Sequence, residues 1–281
     1  MSESAPIRSD MRDPSAFAGV LAGARIWSNR AISGLSRSGY HDLDVEIAFL
    51  SRDDPEAMPR EGDEVAGHEA VSLPCPTGLK GWIAKDGGWG AIEEDPDVPW
   101  DRLVRVRRLL PFLAALQGRV TLHASAVASP TGVHAFVGES GAGKSTLSRC
   151  LAELGWRIVA DDLLPCRMRE GIVAIPLDED RSLPLRGIYF LARQEGLPRV
   201  RRTLLRGADC LKRMLVHGFG EISQRKAWAA QFGLYERIAR AVPAYDLVEP
   251  DALPHLPRSA REVDAMIAGQ EARALSGFGG G

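Results

Sequence analysis

The sequence lacks several features that would place it in a particular class of protein. It has only four cysteines and no CxxC pair, so neither a disulfide framework nor a zinc cluster is predicted. Its longest apolar run, Leu109–Leu116, falls far short of the roughly 20 residues of a membrane-spanning helix. The net charge of −2 creates no global field that would attract nucleic acid or an anionic membrane. We therefore expect a cytoplasmic protein that binds neither nucleic acid nor membrane.

The start of the chain also lacks the basic and apolar blocks of a signal peptide. Residues 1–15 are polar and of mixed charge, which predicts a flexible tail, and the glycine-rich residues 271–281 predict a second one. No repeat of fixed period is present. The 45% hydrophobic content can fill one large core, or a main core with a smaller partner.

The remaining chain shows two different patterns of apolar residues. Residues 16–99 contain short apolar runs, such as Asp44–Leu50, broken by glycine, proline and acidic clusters. This pattern favours short strands, so we expect a small β-rich N-terminal region, whose role the sequence does not indicate. Apolar residues between Asp101 and Gln117 then recur at three- and four-residue spacing, which predicts an amphipathic helix ending at Gly118. We assign residues 100–270 to a second domain.

A strand–loop–helix–strand unit is predicted in the middle of this second domain. Thr121–Ser129 and Val133–Val137 read as a β-hairpin, with a turn at Pro130 and Thr131. The helix begins after Lys144 and stops at Gly155, and Trp156–Ala160 follows as a buried strand. A crossover of this kind is right-handed and makes its two strands parallel. The fold class expected is therefore α/β.

Further elements are predicted towards the C-terminus. Leu183–Leu191 is a strand candidate, and the segments Gly207–Val216 and Ser223–Ala241 have helical spacing. Val242–Pro250 gives a last short strand, and Ser259–Gly269 a terminal helix.

The loop before the predicted helix satisfies the complete pattern GxxxxGK[ST]. Its glycines let backbone N–H groups turn inward on a phosphate, its lysine reaches the outer phosphates, and its serine hydroxyl ligates Mg²⁺. The N-terminus of the following helix adds a positive dipole end. The predicted nucleotide-binding residues are Gly138, Glu139, Ser140, Gly141, Ala142, Gly143, Lys144, Ser145 and Thr146.

Two adjacent carboxylates, Asp161 and Asp162, follow the strand Trp156–Ala160. Ligands of open α/β sheets bind beyond the carboxyl ends of the strands, so we expect both carboxylates near the terminal phosphate of the nucleotide. One of them can hold Mg²⁺ together with Ser145, and the other can accept the proton of an attacking hydroxyl. The sequence does not indicate which aspartate has which role.

Three other groups of basic or titratable residues are candidates for the site. In the predicted hairpin Ser129 faces Gly132, so His123 faces Gly138 at the start of the loop, where it can contact phosphate or orient an aspartate. Arg186 can supply positive charge to the transferring phosphoryl group. A basic stretch, which is either a solvated helix face or a docking surface for an acidic substrate, contains Arg199, Arg201, Arg202, Arg206, Lys212 and Arg213.

Taken together, the run LHASAV…FVGESGAGKSTL…LGWRIVADDLLP resembles the catalytic domain of HPr kinase/phosphorylase. It is similar also to small kinases of that superfamily that act with peptide-tailoring systems, such as lasso-peptide kinases. The resemblance implies a P-loop kinase core related to phosphoenolpyruvate carboxykinase that phosphorylates a serine hydroxyl. It matches His123, the loop, both aspartates and Arg186, although Pro184 stands where bifunctional members have glutamate.

The sequence therefore predicts an ATP- and Mg²⁺-dependent kinase whose partner is a peptide or protein with an acceptor serine. Two alternatives stay open, namely a small-molecule or carboxykinase-like phosphotransferase and a non-catalytic nucleotide-sensing module. Whether the chain forms a homo-oligomer is open as well.

Overall fold

The computed structural model shows a mixed α/β protein with two mixed sheets, and five helices within the described residues. It describes residues 17–21, 24–37, 43–53, 58–60, 64–65, 68–73, 80–95, 102–168, 171–175, 182–217, 225–251 and 256–276. The tail predicted at residues 1–15 lies outside these ranges. The tail predicted at residues 271–281 is in part helical, because the last helix extends to Ser276. The chain divides into two compact units.

The first unit holds a seven-stranded sheet, helix α1 (Arg102–Leu116) and the first half of helix α4 (Arg225–Ala241). Its strands are β1 (Phe17–Leu21), β2 (Ala24–Ser28), β3 (Leu43–Ser51), β4 (Glu64–Val65), β5 (His68–Leu73), β6 (Gly81–Ala84) and β7 (Trp89–Glu94). They are ordered β1-β2-β3-β7-β6-β5-β4, and the pairs β2–β3 and β3–β7 are parallel. The short strands expected between residues 16 and 99 are thus present. Trp82 and Trp89 are buried in this sheet, as packing residues should be.

Helix α1 (Arg102–Leu116) confirms the amphipathic pattern between Asp101 and Gln117. Its buried side chains include Val106, Leu110 and Leu113, which recur at the spacing of one helical face. Strand β7 accommodates this face through Gly90, where a Cβ atom would lie 2.7 Å from Cδ2 of Leu109. The helix is continuous through Pro111.

The second unit contains the other seven-stranded sheet, in which parallel and antiparallel neighbours mix. Its strands are β8 (Arg119–Ser129), β9 (Gly132–Val137), β10 (Arg157–Met168), β11 (Ile172–Ala174), β12 (Leu183–Gln194), β13 (Arg201–Leu205) and β14 (Ala244–Pro250), in the order β11-β10-β8-β9-β12-β14-β13. The pairs β9–β12 and β12–β14 are parallel, so their carboxyl ends meet at one edge. Strand β11 also pairs with the start of β12.

The hairpin register agrees with the sequence. Ser129 pairs with Gly132 and Ala124 pairs with Val137, so the next position, His123, lies level with Gly138. Helix α2 (Lys144–Glu153) follows the loop, and the chain leaves it through Gly155 with a φ of 98°. Strand β10 corrects the prediction in two respects. It is a neighbour of β8 rather than of β9, and it continues to Met168, well beyond the predicted end at Ala160.

Three helices complete the described elements: α3 (Ala208–Val216), α4 (Arg225–Ala241) and α5 (Leu256–Ser276). The predicted helices over these segments are present, and the terminal one is longer than expected. The basic segment Arg199–Arg206, by contrast, does not form a helix face. Most of it forms β13, the last strand in the order of the sheet, and Arg201–Leu205 pair antiparallel with β14.

Helices α2 and α5 pack on one face of the second sheet. Leu147 and Leu151 of α2, one helical turn apart, and Val263 and Ile267 of α5 are fully buried there. They contact side chains that alternate along the strands, which are Val127, Phe136, Tyr189, Leu191, Tyr245 and Leu247. Burying each large apolar side chain contributes about 1.5–3 kcal/mol, so this layer fixes the start of α2, where the loop ends, on the sheet.

Candidate functional site

The glycine loop lies between the buried strand β9 and helix α2, and its backbone requires glycine. Gly141 and Gly143 have φ values of 81° and 98°, in the left-handed region that side chains disfavour. At Gly138 a Cβ atom would lie 3.0 Å from the carbonyl oxygen of Leu191, because β12 passes close by. The loop therefore has the strand–loop–helix context that a phosphate-binding loop needs.

The side chain of Lys144 folds back over this loop. Its ammonium group donates hydrogen bonds to the carbonyl oxygens of Gly138, at 2.8 Å, and Glu139, at 3.0 Å. Burial lowers the pKa of Lys144, while the charges of Asp162 and Asp161 oppose that shift. A cation thus lies over the loop and is held near two carboxylates.

Ser145 and Asp161 lie in direct contact. The hydroxyl of Ser145 donates to Oδ1 of Asp161 at 2.5 Å, and Nη2 of Arg149 lies 3.8 Å from Oδ2 of the same carboxylate. The hydroxyl of Ser145, in the first turn of α2, and the carboxylate of Asp161, in β10, are hard oxygen donors of the type that Mg²⁺ prefers. The pair predicted to hold metal is therefore brought together.

Asp162 points to a different partner. Its Oδ1 lies 3.1 Å from Nε2 of His123, which the hairpin register carries to the start of the loop. Asp162 also has a φ of 111°, the only positive value among the non-glycine residues that the structure describes. A residue held in this region costs roughly 1–3 kcal/mol. Both carboxylates lie inside strand β10, not at its end as predicted. The unusual backbone conformation at Asp162 accompanies the different directions of the two side chains, one towards Ser145 and the other towards His123.

Buried hydroxyl groups hold the elements of the site together. The Ser125 hydroxyl of β8 donates to Ser148 of α2 at 2.8 Å and also lies 3.3 Å from the carbonyl oxygen of Ala160 in β10. Both serines are buried, so this network fixes the hairpin, α2 and β10 relative to one another.

One basic residue of the site was missed by the sequence analysis. Arg193 lies near the end of β12, and a Cβ atom on Gly143 would collide with its Nη2 atom. The guanidinium therefore lies against the loop next to Lys144. The predicted strand ended at Leu191, so Arg193 fell outside every predicted element. The parallel pairing of β9 with β12 would have indicated it, because residues at the carboxyl end of β12 then lie beside the loop that follows β9.

The structure does not bring Arg186 to the loop. Arg186 lies at the start of β12, level with the start of β9, and its Nε donates to the carbonyl oxygen of Thr131 at 2.8 Å. Its distance from Arg193 along the strand corresponds to roughly 20 Å, at about 3.3 Å per residue. The strand direction therefore places this predicted catalytic arginine at the opposite edge of the sheet.

The basic stretch is divided by its structure. Arg202 donates to the carbonyl oxygen of Met266 and to Gln270 of α5 and covers the ring of Tyr245, so it packs as part of the fold. Arg213 forms an ion pair with Asp246. The basic side chains that stay exposed on and beside β13 are those of Arg199, Arg201 and Arg206.

A small cavity lies behind His123 in the second unit. Its lining is mostly apolar and consists of Leu122, His123, Val137, Ile188, Phe190, Met214, His217 and Tyr235. Burial and the charge of Arg213 lower the pKa of His217. The neutral imidazole therefore suits this apolar surrounding.

The described residues contain neither a cluster of metal-ligating side chains nor a membrane-spanning helix. In that part of the chain no group of three or more His, Cys, Asp or Glu side chains is arranged to hold a metal ion. None of the helices there is long and apolar enough to cross a membrane.

Comparison with known proteins gives little. No protein-family model matches the chain, and no curated protein matches it either. Among solved structures, the Hpr(Ser) kinase/phosphatase from Coxiella burnetii is similar at 11% identity, over 55% of this chain and 98% of that one. The TM-score is 0.31, and a likeness of this size carries no argument about fold or activity.

Proposed function

We propose that the chain is an ATP-dependent phosphotransferase that moves the γ-phosphate to a hydroxyl group. This proposal rests on one observation: two carboxylates lie beside the glycine loop, and each contacts a different side chain. Asp161 contacts Ser145, and Asp162 contacts His123. A module that only sensed the nucleotide would need the loop but no second carboxylate beside it.

The nucleotide phosphates would be bound by residues Gly138–Thr146. Lys144 already lies over the loop, and its hydrogen bonds to loop carbonyls would be exchanged for bonds to phosphate oxygens. Ser145 and Asp161 would hold Mg²⁺, which when bound neutralises charge on the phosphate oxygens. Two protein ligands suffice for this ion, because Mg²⁺ keeps water and phosphate oxygens in its shell.

Asp162 is the proposed general base. Its carboxylate takes the proton of the acceptor hydroxyl as that oxygen bonds to the γ-phosphorus, and the bond from phosphorus to the bridging oxygen breaks to release ADP. His123 orients the carboxylate through the 3.1 Å contact of its Nε2 atom. The positive charge of Lys144 stabilises the negative charge that develops on the transferring group.

The acceptor we propose is a serine of a peptide or protein. Strand β13 supports this choice, because it is the last strand in the order of the sheet, carries the exposed Arg201 and lies between the exposed Arg199 and Arg206. Arg201 pairs in register with Val248, near the edge where β12 and β14 end, and its guanidinium donates to Gln194. An extended acidic peptide beside such a strand gains backbone hydrogen bonds and charge pairs.

The experiment for nucleotide binding is calorimetry with ATP and Mg²⁺. We expect wild type to bind ATP and Lys144→Ala to lose about a hundredfold or more in affinity, since a charged hydrogen bond to phosphate contributes about 1.5–3 kcal/mol and Lys144 makes more than one. Equal affinity in both proteins would remove the loop from the mechanism.

The acceptor is tested by mass spectrometry after incubation with γ-labelled ATP and serine-containing peptides. Arg201→Glu should raise the KM for an acidic peptide several-fold and leave the KM for ATP unchanged, and added salt should reduce the difference. Phosphorylation of small molecules with peptides inert would redirect the proposal to a small-molecule kinase. ATP binding with no transfer to any acceptor would favour the sensing module.

A further inference from the structure

One side chain of strand β12, that of Arg193, lies beside the glycine loop on the face of the sheet where helices α2 and α5 pack. Side chains alternate along a strand, so Tyr189 and Leu191, which pack under α2 and α5, are followed on the same face by Arg193. Its guanidinium carbon would lie 3.3 Å from a Cβ atom on Gly143. Gly143 immediately precedes Lys144, so Arg193 lies at the N-terminus of α2, where a phosphate would bind.

The charge of Arg193 is incompletely matched by its neighbours. Its Nη1 lies 3.9 Å from Asp251, a loose ion pair, and its Nε has no hydrogen-bond partner within the described part of the chain. The next side chain on the sheet is Glu249, which pairs in register with Arg193 on the parallel strand β14. Both oxygens of Glu249 also lack a partner among the residues that the structure describes, and only 1% of the residue is exposed.

Burying the polar atoms of Arg193 and Glu249 without hydrogen bonds lowers the stability of the protein unless a ligand supplies the missing partners. Buried charged groups without hydrogen bonds are rare in proteins, and they concentrate at functional sites. A guanidinium with free donors suits phosphate oxygens, because its planar fork presents two parallel N–H groups. The carboxylate at the other end of the sheet needs no ligand, since Glu271 there accepts hydrogen bonds from His134, Ser129 and Thr131.

We propose that Arg193 binds the phosphates of the nucleotide at Gly143, and that its buried neighbour Glu249 takes up a proton when they bind. The proposal rests on the proposed function and assigns to Arg193 the role that the sequence suggested for Arg186. Arg193 provides positive charge from within the chain. Glu249 is a positioning residue whose charge attracts the guanidinium until phosphate binds.

The proton uptake follows from the surroundings of Glu249. Burial raises its pKa to about 7, with the charge of Arg193 working in the opposite direction. The other ionisable groups near it are Asp251, which pairs with Arg193, and Cys150 of α2, whose own pKa is raised by burial and by the charges of Glu153 and Glu249. The positive charge of Arg193 opposes protonation of Glu249. Phosphate anions bound to Arg193 offset that charge, so the pKa of Glu249 rises and the group becomes neutral at a higher pH.

The first experiment compares ATP affinity between two arginines of one strand. Arg193→Gln should weaken ATP about tenfold to a hundredfold, and Arg186→Gln, at the far end of β12, should leave it unchanged. Because Arg193→Gln leaves the carboxylate of Glu249 buried without a counter-charge, the double variant Arg193→Gln/Glu249→Gln provides a second reading. It should fold and show the same loss of affinity.

The second experiment measures protons taken up on ATP binding, by calorimetry near pH 7.5 in buffers of different ionisation enthalpy. Wild type should take up a fraction of a proton that Glu249→Gln does not, and a merely structural role for Glu249 would leave this number unchanged. The fraction should decline as the pH is raised well above 8.

The outcomes separate this proposal from the proposed function. If Lys144→Ala loses ATP while both Arg193 variants bind it as tightly as Arg186→Gln, the nucleotide site stands and the role of Arg193 is overturned. Equal proton uptake in wild type and Glu249→Gln would overturn the role of Glu249. Absence of ATP binding by wild type would overturn both proposals together.

Discussion

Acidic side chains at the two edges of the second sheet differ in how well their oxygens are hydrogen-bonded. At the turn between β8 and β9, Glu271 accepts hydrogen bonds from Ser129, Thr131 and the buried His134. At the loop edge, Glu249 is buried without a hydrogen bond among the described residues, and Asp162 has a strained backbone. We call these the turn edge and the loop edge.

The contrast extends to the pKa values of the two glutamates. Burial by itself would raise the pKa of Glu271, but hydrogen bonds from His134, Ser129 and Thr131 outweigh it and bring the pKa down to about 2. Burial dominates at Glu249 and raises its pKa to about 7. The turn edge thus satisfies its carboxylate, whereas the loop edge carries backbone strain and a buried carboxyl group without a hydrogen bond among the described residues. Such a division between edges is expected where one of them has a function.

The largest expected effect is at the loop edge. Asp162→Asn removes the proposed base while keeping the size of the side chain, so phosphoryl transfer should fall about 10²–10⁴-fold, with ATP affinity nearly unchanged. Transfer is measured with γ-labelled ATP and an acceptor peptide. His123→Ala should show a smaller loss, because it acts only through Asp162. Near-normal transfer by Asp162→Asn would assign the base to Asp161 or to no aspartate.

A substitution at the turn edge should change stability and not nucleotide binding. Glu271→Gln removes a carboxylate that accepts three hydrogen bonds, so we expect about 1–3 kcal/mol lower free energy of unfolding at pH 7. Denaturant titration measures it, with ATP affinity as the control.

The same pair of proteins has a predicted pH dependence. The folded-state pKa of Glu271, about 2, lies below its ordinary value of 4.5, so its contribution is complete above about pH 4.5. That contribution is lost as pH falls from about 4.5 towards 2. The stability difference between wild type and Glu271→Gln should therefore shrink in this range, and a constant difference would contradict the assigned hydrogen bonds.

The smallest expected effect probes the strain itself. Glycine adopts the φ of 111° at Asp162 without penalty, so Asp162→Gly should raise the free energy of unfolding by up to about 1 kcal/mol while lowering transfer about as much as Asp162→Asn. Thermal unfolding beside the transfer assay measures both. A destabilised variant would mean that the contact with His123 outweighs the backbone strain.

Local patterns in the sequence were sufficient for much of the site. The loop, the helix after it and the pairing of Ser129 with Gly132 depend on neighbouring residues, and the hairpin register alone put His123 level with Gly138. Glycine spacing and alternation are properties of the chain itself. The limits of the predicted domains at residues 16–99 and 100–270, the cytoplasmic location and the peptide acceptor stay predictions.

By itself, then, the sequence determined the glycine loop, the neighbouring aspartates and most of the strands and helices, because each follows from the order of adjacent residues. Only the tertiary structure decided which distant residues join them. It placed Arg193 at the loop and Arg186 at the turn edge, since strand direction and register are set by packing between elements far apart in the chain. It also placed Glu249 beside Arg193, through the parallel pairing of β12 with β14. Long-range pairings of this kind depend on the burial of whole strand and helix faces, which no local pattern encodes.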